Sequence, residues 1–298
     1  MASHYHYSIH VNNLAQRKKL PSGHEIGFAQ YGPALGRPVL FFHGFAGSRL
    51  QIPPSDELAY RYNLRIIAVD RPGTGLTTPR PGLTLLGWAS DVAQLADDLD
   101  IKKFGIIAWS AGGPHALACA YKYPDRVTRL ALAAPMGRWF VGPGASQHAS
   151  SQSKTLAVLG RYAPCLLQLS VGSIQRQVMN SPQRTIDKQL SQLPAPDQLT
   201  LRQNLNYQLL VGTIGEGFRQ GSIGLSSDVM RTAMPWGFEV EGITAPATIW
   251  QGAIDDVVLP ALTQELAGRM KTVDYRLLPE EGHFALFTHW AEILSSSE

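Results

Sequence analysis

Cysteine is scarce in this chain of 298 residues, which contains only Cys119 and Cys165. Two cysteines cannot build a disulfide framework, and neither lies in a Cys-x-x-Cys or Cys/His spacing typical of zinc sites. The sequence therefore predicts no metal site. We expect both cysteines to be small, buried, apolar side chains.

Charge is also sparse. Charged residues make up 16% of the chain, and 26 Lys and Arg against 23 Asp and Glu give a net charge of +3 with the 9 His neutral. The basic residues are scattered, apart from the run Arg17-Lys18-Lys19. This is too little positive charge for a nucleic-acid-binding surface, so no nucleic-acid partner is expected.

Long hydrophobic runs and targeting segments are missing. No apolar stretch approaches the roughly 20 residues of a membrane-spanning helix. Residues 1–7, rich in Tyr and His, lack the basic-then-apolar order of a signal peptide, and we expect a terminal strand or tail there. The Gly-rich motifs of phosphate-binding and dinucleotide-binding loops are absent as well. These absences favour a soluble cytoplasmic protein.

The chain does contain 44% hydrophobic residues, 28 Gly and 20 Pro, a composition typical of a globular, enzyme-sized protein with many turns. Short apolar runs alternate with stretches of helical periodicity, which is typical of βα units around a mainly parallel sheet. The predicted strands are 39–42, 65–69, 104–108, 130–134, 248–250 and 273–278. The predicted helices are 88–99, 114–123, 261–270 and a terminal helix near 291–294.

A long segment, residues 138–235, interrupts this alternation. It resembles several helices broken by prolines, and its nine basic residues against four acidic ones make it more basic than the whole chain. That charge indicates either a solvated face over an ordinary helical core or attraction of anionic substrates. We expect 138–235 to form a helical lid on one catalytic core domain made of residues 1–137 and 236–298.

The strongest local motif is Ala108-Trp109-Ser110-Ala111-Gly112-Gly113, which follows a predicted buried strand and precedes a predicted helix. A nucleophilic serine on such a turn has strained backbone angles, so the residues two before and two after it must be small. Ala108 stands where the usual pattern has glycine and keeps that steric requirement. The alternative is that Ser110 simply caps the following helix.

A serine hydroxyl becomes a useful nucleophile only when an imidazole removes its proton and a carboxylate orients that imidazole. The chain offers Asp255 after one predicted strand and His283 after the last one, in the order Ser, Asp, His. Asp256 is the rival acid. We favour Asp255 because it lies three residues after Gly252.

An acyl-transfer reaction also needs two preorganised backbone N–H groups to hold the oxyanion. We expect one from Ala111, which follows Ser110, and the other from Phe45 in the loop after the first predicted strand. His43 in that loop is expected to brace it by hydrogen bonding rather than to act in catalysis.

With these motifs in this order, the chain resembles the α/β-hydrolase family, and specifically its lidded esterases, lipases and related hydrolases. The resemblance covers most of the sequence outside the lid. It rests on five segments: Phe42-His43-Gly44-Phe45, Asp70-Arg71-Pro72-Gly73-Thr74-Gly75, Trp109-Ser110-Ala111-Gly112-Gly113, Gly252 to Asp255, and Gly282-His283-Phe284.

The resemblance implies an eight-stranded, mostly parallel sheet with helices on both faces, a helical lid after the sixth strand, a Ser-Asp-His triad and no cofactor. It also implies a structural role for the Asp70 turn. Ser110 argues against the dehalogenases and epoxide hydrolases of the family, which have an aspartate at that position. The basic lid disfavours its aminopeptidases, which need an acidic site.

We therefore expect a serine hydrolase acting on an uncharged or anionic small-molecule carboxylic ester, through Ser110, Asp255 and His283. Lactone, thioester or carbon–carbon bond cleavage by the same triad is the alternative, as is a non-catalytic small-molecule receptor. Trp109 and Phe284 either line the substrate pocket or pack beneath its loops. Nothing in the sequence indicates an oligomeric state.

Overall fold

The computed structural model describes residues 13–139 and 146–297. Residues 1–7, predicted to be a terminal strand or tail, lie outside this range. The described part contains one sheet of eight strands. They are β1 Gln16–Lys19, β2 Glu25–Tyr31, β3 Arg37–Phe42, β4 Leu64–Val69, β5 Phe104–Trp109, β6 Val127–Ala133, β7 Ala247–Gly252 and β8 Val273–Leu278.

The order of strands across the sheet is β1-β2-β4-β3-β5-β6-β7-β8. Six neighbouring strands, from β4 through β3 and β5 to β8 in the order of the sheet, are parallel to one another. In contrast, β2 pairs antiparallel with both β1 and β4. The predicted eight-stranded, mostly parallel sheet is therefore confirmed.

Helices cover both faces of the sheet. Those in the described residues are α1 Asp56–Arg61, α2 Leu85–Asp98, α3 Gly112–Lys122, α4 Ser151–Tyr162, α5 Pro164–Asn180, α6 Pro182–Leu190, α7 Ala195–Arg202, α8 Asn204–Gly217, α9 Ile223–Thr232, α10 Pro260–Arg269, α11 Ala285–Thr288 and α12 Trp290–Ser296. One apolar cluster joins α2, α3 and α10 to one face, and another joins α1 and α12 to the opposite face. Because both faces are covered, all six residues of the central strand β5 are buried.

Six of the described helices, α4 to α9, lie between β6 and β7, and we call residues 151–232 the helical insert. The insert has its own apolar cluster, which includes Leu167, Leu190, Leu201 and Val229. The same cluster contains Ala111 from the turn after β5. The insert therefore packs directly over the edge of the sheet where the parallel strands end.

The sequence pattern did not predict two strands of the sheet, β1 and β2. β1 is the polar stretch Gln-Arg-Lys-Lys, and β2 is interrupted by Gly27, so neither shows the apolar run that marks the central strands.

The prediction that Cys165 is buried was wrong. Cys119 is buried, but Cys165 is exposed, because it lies on the solvent side of the first turn of α5.

Among the described residues, no helix combines the length and the apolar character that crossing a membrane requires.

Candidate active site

Ser110 lies on the sharp turn between β5 and α3. Its φ is 53°, in the left-handed region that residues other than glycine rarely adopt. The Ser110 amide donates to the Ala133 carbonyl at 3.0 Å, and the Ser110 carbonyl accepts from the Met136 amide at 2.9 Å. A Cβ at Gly112 would lie 2.3 Å from the Phe42 carbonyl oxygen, so only glycine fits there. The turn thus holds the Ser110 side chain above the end of the sheet.

His283 lies in the loop after β8 and faces Ser110. Its Nε2 is 3.1 Å from Ser110 Oγ, and its Nδ1 is 2.9 Å from Asp255 Oδ2. Burial alone would lower the pKa of His283, but the negative charge of Asp255 raises it above the usual value. With its proton on Nδ1, the imidazole donates to Asp255 and accepts from the Ser110 hydroxyl. The three side chains therefore form one continuous hydrogen-bonded chain.

Asp255 lies in the loop after β7 and is buried. Its Oδ1 accepts from the amides of Val257 at 2.9 Å and Val258 at 2.8 Å, and its Oδ2 accepts from Gln251 Nε2 at 3.1 Å. The side chain of Asp256 is exposed. Of the two candidate acids, Asp255 is therefore the one that contacts the imidazole.

The amides expected to hold an oxyanion belong to Phe45, which lines a common cavity with Ser110, and to Ala111, which follows Ser110 in the chain. Neither amide has a hydrogen-bond acceptor within the part of the chain that the structure describes. The preceding amide, that of Gly44, donates to Gln51 Oε1 at 2.8 Å, which fixes the course of the loop. This geometry leaves the Phe45 and Ala111 N–H groups able to donate to a ligand.

Arg71, which the sequence did not single out for the site, braces the Phe45 loop from behind. Its guanidinium donates to the carbonyl oxygens of His43 and Gly44, the second at 3.0 Å. His43 itself bridges the Gly44 carbonyl, 2.8 Å from its Nδ1, and the Arg71 amide, 3.3 Å from its Nε2. Burial and the nearby Arg71 charge lower the pKa of His43 well below its usual value, so the ring is neutral. His43 is thus placed as a bracing residue.

Asp228, on α9 of the insert, neutralises Arg71. Its Oδ2 accepts from Arg71 at 2.7 and 2.9 Å, and its Oδ1 lies 3.2 Å from both His115 Nε2 and Arg231 Nη1. Burial alone would raise the pKa of Asp228, but the positive charges of Arg71 and Arg231 lower it. Burial also lowers the pKa of His115 to about 4. Arg71 and Asp228 are 157 positions apart, so the sequence carried no signal of their pairing.

A cavity of about 240 Å³ opens above Ser110 and His283. Its walls come from the core loops and from α6 and α8 of the insert. The lining residues are Gly44, Phe45, Ala46, Gln51, Trp109, Ser110, Ile186, Gln189, Leu190, Leu193, Leu210, Ile214, Val257, His283 and Phe284. Apart from His283, none of these side chains is ionisable. The cavity therefore suits a small, mostly apolar, uncharged group.

Trp109 and Phe284, for which the sequence left two roles open, both lie on the cavity wall. Trp109 also supports the histidine loop, because its Nε1 donates to the His283 carbonyl at 3.1 Å. The rings of Trp109 and Phe284 are 5.1 Å apart, edge to face. Both residues therefore line the cavity and pack beneath the loops.

In the described ranges 13–139 and 146–297, no three His, Cys, Asp or Glu side chains are grouped so that they could hold a metal ion.

Comparison with known proteins supports this picture of the fold. A family model described as the alpha/beta hydrolase fold matches residues 37–289. Among solved structures, a thermophilic esterase from Thermogutta terrifontis aligns with a TM-score of 0.67 and 20% identity, covering 94% of this chain and 97% of that one. The enol-lactonase from Burkholderia xenovorans LB400 aligns with a TM-score of 0.68 and 19% identity, covering 94% of this chain and 100% of that one.

Curated relatives match over shorter segments. A poly(3-hydroxyalkanoate) depolymerase of Ectopseudomonas oleovorans is 35% identical over 108 residues, which is 36% of this chain and 38% of that protein. A probable proline iminopeptidase of Leptolyngbya boryana is 33% identical over 112 residues, 37% of this chain and 35% of that protein. The chain thus aligns with little more than a third of each relative's length.

Proposed function

This chain belongs to the α/β-hydrolase family, and we propose that it is a serine hydrolase that cleaves a small, uncharged carboxylic ester. The observation that carries the proposal is the hydrogen-bonded chain from Ser110 through His283 to Asp255, which opens into an apolar cavity. The alternative that Ser110 merely caps α3 does not account for its contact with His283.

In the proposed reaction, Ser110 Oγ attacks the ester carbonyl carbon while His283 Nε2 takes the hydroxyl proton. Asp255 stabilises the imidazolium that forms. The oxyanion accepts hydrogen bonds from the Phe45 and Ala111 amides. The tetrahedral intermediate then collapses, the alcohol leaves with the proton from His283, and an acyl group stays on Ser110.

Water completes the cycle. His283 removes a proton from a water molecule as the water oxygen attacks the acyl carbon, and returns that proton to Ser110 Oγ as the carboxylic acid leaves. No cofactor enters either half of the reaction. Both halves use the same imidazole and the same pair of amides.

The substrate class follows from the cavity. Its volume of about 240 Å³ is below the roughly 300–1,000 Å³ of drug-sized ligand sites, which favours a short acyl chain or a small ring. Among the described residues, the lining holds no arginine or lysine that would pair with an anionic substrate. The sequence allows either an uncharged or an anionic ester, and the cavity therefore favours the uncharged one.

In this proposal, residues 138–235 act as a lid over a core formed by residues 1–137 and 236–298. Support comes from the position of α4 to α9 between β6 and β7, and from the separate apolar cluster that they form. The lid contributes one wall of the cavity through Ile186, Leu190 and Leu210.

The test is hydrolysis of p-nitrophenyl acetate, butyrate, octanoate and laurate by the wild type and by Ser110→Ala. We expect the shorter esters to be preferred and kcat to fall about 10⁶-fold in the variant, as in other triad enzymes. Ser226→Ala is the matched control, because Ser226 is a buried serine without a side-chain hydrogen-bond partner among the described residues. It should keep wild-type activity.

Hydrolysis retained in Ser110→Ala would overturn the proposal. Turnover of lactones, thioesters or ketones, but of no ester, would keep the triad and change the bond. A ligand that raises the melting temperature without any turnover would instead indicate a binding protein.

A further inference from the structure

The insert contacts the histidine loop through a buried carboxylate. Asp197, on α7, has only 1% of its surface exposed. Its Oδ2 accepts from the His283 amide at 3.0 Å, and its Oδ1 accepts from the Phe284 amide at 2.9 Å. The carboxylate thus bridges two consecutive N–H groups of the loop that carries the imidazole.

Gly282 makes this contact possible. A Cβ at Gly282 would lie 2.3 Å from Asp197 Oδ2, closer than any side chain can approach. On the other side of the loop, a Cβ at Gly252 would lie 2.2 Å from the Gly282 carbonyl oxygen. The loop is therefore packed between the end of β7 and the Asp197 carboxylate, with no room for displacement toward either.

No lysine, arginine or histidine among the described side chains forms an ion pair with Asp197, although its charge interacts with the nearby His283 imidazole. Burial raises its pKa, while the Phe284 and His283 amides lower it. A buried carboxylate without a counter-ion is costly, and its two backbone hydrogen bonds are what stabilise it at this place. The presence of a carboxylate at this costly position is explained if the loop that it binds must keep one geometry.

We propose that Asp197 is a positioning residue, through which the helical insert holds the His283 loop so that Nε2 lies on Ser110 Oγ. The inference rests on the proposed function, and it assigns the insert a part in the catalytic geometry in addition to its part in the cavity wall. Asp197 touches no reacting atom and acts through the main chain of His283 and Phe284.

The charge of Asp197 also acts on the imidazole. The charged groups facing His283 are Asp255 and Asp256 from the loop after β7, and Asp197 from α7; all three raise the pKa of His283 against the effect of burial. Removing the Asp197 charge should therefore lower the pH at which the imidazole loses its proton. A role in packing alone would leave that pH unchanged.

The test compares Asp197→Asn with the wild type and with Asp187→Asn. The asparagine keeps the shape but presents an NH₂ group to one of the two amides. We expect kcat on the high-pH plateau, where His283 is neutral in every variant, to fall about 10²-fold with KM little changed, because small misplacements of catalytic groups cost that much. Asp187 is an exposed insert carboxylate that bonds Tyr207, and its variant should match the wild type.

The second readout does not need turnover. In the Ser110→Ala protein, the His283 ring is titrated by NMR with Asp or Asn at position 197, and we expect a lower midpoint with Asn. Gly282→Ala is the second variant, because it keeps the Asp197 charge but forces the carboxylate off the loop; it should lose kcat as Asp197→Asn does.

Wild-type kcat in Asp197→Asn, or an unchanged His283 midpoint, would overturn the inference even if the melting temperature fell. If Asp197→Asn does not fold, wild-type kcat in Gly282→Ala would overturn it instead. Failure of the proposed function gives a different result: no ester is turned over by any variant, while the NMR titration still decides the role of Asp197.

Discussion

Ser110 has a strained backbone conformation that its surroundings stabilise. A non-glycine residue in the left-handed region costs on the order of 1–3 kcal/mol, and here Ser110 is hydrogen-bonded to the last residue of β6, Ala133, and to Met136 in the loop that follows. Ala108, which replaces the usual glycine, is fully buried between Phe42 of β3 and Leu132 of β6. Its methyl group fits there, so the departure from the usual motif leaves the turn intact.

The two neighbouring aspartates provide a matched pair of variants. Asp255→Asn keeps the shape but loses the charge that orients and stabilises the imidazolium, so kcat should fall about 10⁴-fold. Asp256→Asn changes an exposed carboxylate that does not contact the ring, so kcat should change little. Steady-state kinetics on the preferred p-nitrophenyl ester measure both. A larger loss in Asp256→Asn would mean that the acid is misassigned.

The ionisation of His283 should set the pH dependence of kcat/KM. The Asp255 charge stabilises the protonated ring, so the folded-state pKa lies above the usual 6.5 and the proton leaves only at higher pH. Since the neutral ring is the base, kcat/KM should rise with pH and reach half its maximum above pH 6.5. In Asp255→Asn the midpoint should move to lower pH. A wild-type midpoint below that of the variant would contradict the assigned electrostatics.

At the scale of elements, the central strands were predictable because they are buried on both faces. The structure extends the predicted strands 39–42, 65–69 and 248–250 by one to three residues and reproduces 273–278. β1 was missed because an edge strand with polar residues has no apolar run, and β2 was missed because Gly27 interrupts its apolar residues. The insert was predicted as helical, but its helix bounds depend on tertiary packing.

Asp228 joins two elements, α9 and the loop after β4, and its loss should be costly. Asp228→Asn would leave Arg71 and Arg231 buried without their counter-ion, and breaking such buried pairs costs about 3–5 kcal/mol of unfolding free energy. The Phe45 loop should loosen as well, since Arg71 holds its carbonyl groups. Urea denaturation measures the first effect and ester hydrolysis the second.

Glu57→Gln is the control for that variant. Glu57 pairs with Arg61 on the exposed face of α1, where an ion pair contributes little. Its unfolding midpoint should match the wild type. If Asp228→Asn were as stable as Glu57→Gln, the buried network would not be holding α9 to the core.

At the scale of the whole molecule, the site is assembled from loops at one edge of the sheet and from the insert above it. Ser110, Asp255 and His283 were predictable from sequence because each follows a recognisable strand. Asp197 and Asp228 were not, because their partners are 86 and 157 positions away and only the docking of the insert brings them together. Motifs thus pointed to the proposed reacting groups, whereas the residues that hold them in place could be found only in the three-dimensional structure.

Covalent labelling shows whether Ser110 is an activated nucleophile. When a small alkyl fluorophosphonate reacts with the wild-type protein, Ser110 Oγ should attack phosphorus, give up its proton and displace fluoride from the reagent. The protein should gain one phosphonyl group, and peptide mass mapping should place that group on Ser110. His283→Ala should label far more slowly, because no base removes the hydroxyl proton. Labelling at another residue, or equal rates in the two proteins, would mean that Ser110 is not a nucleophile activated by His283.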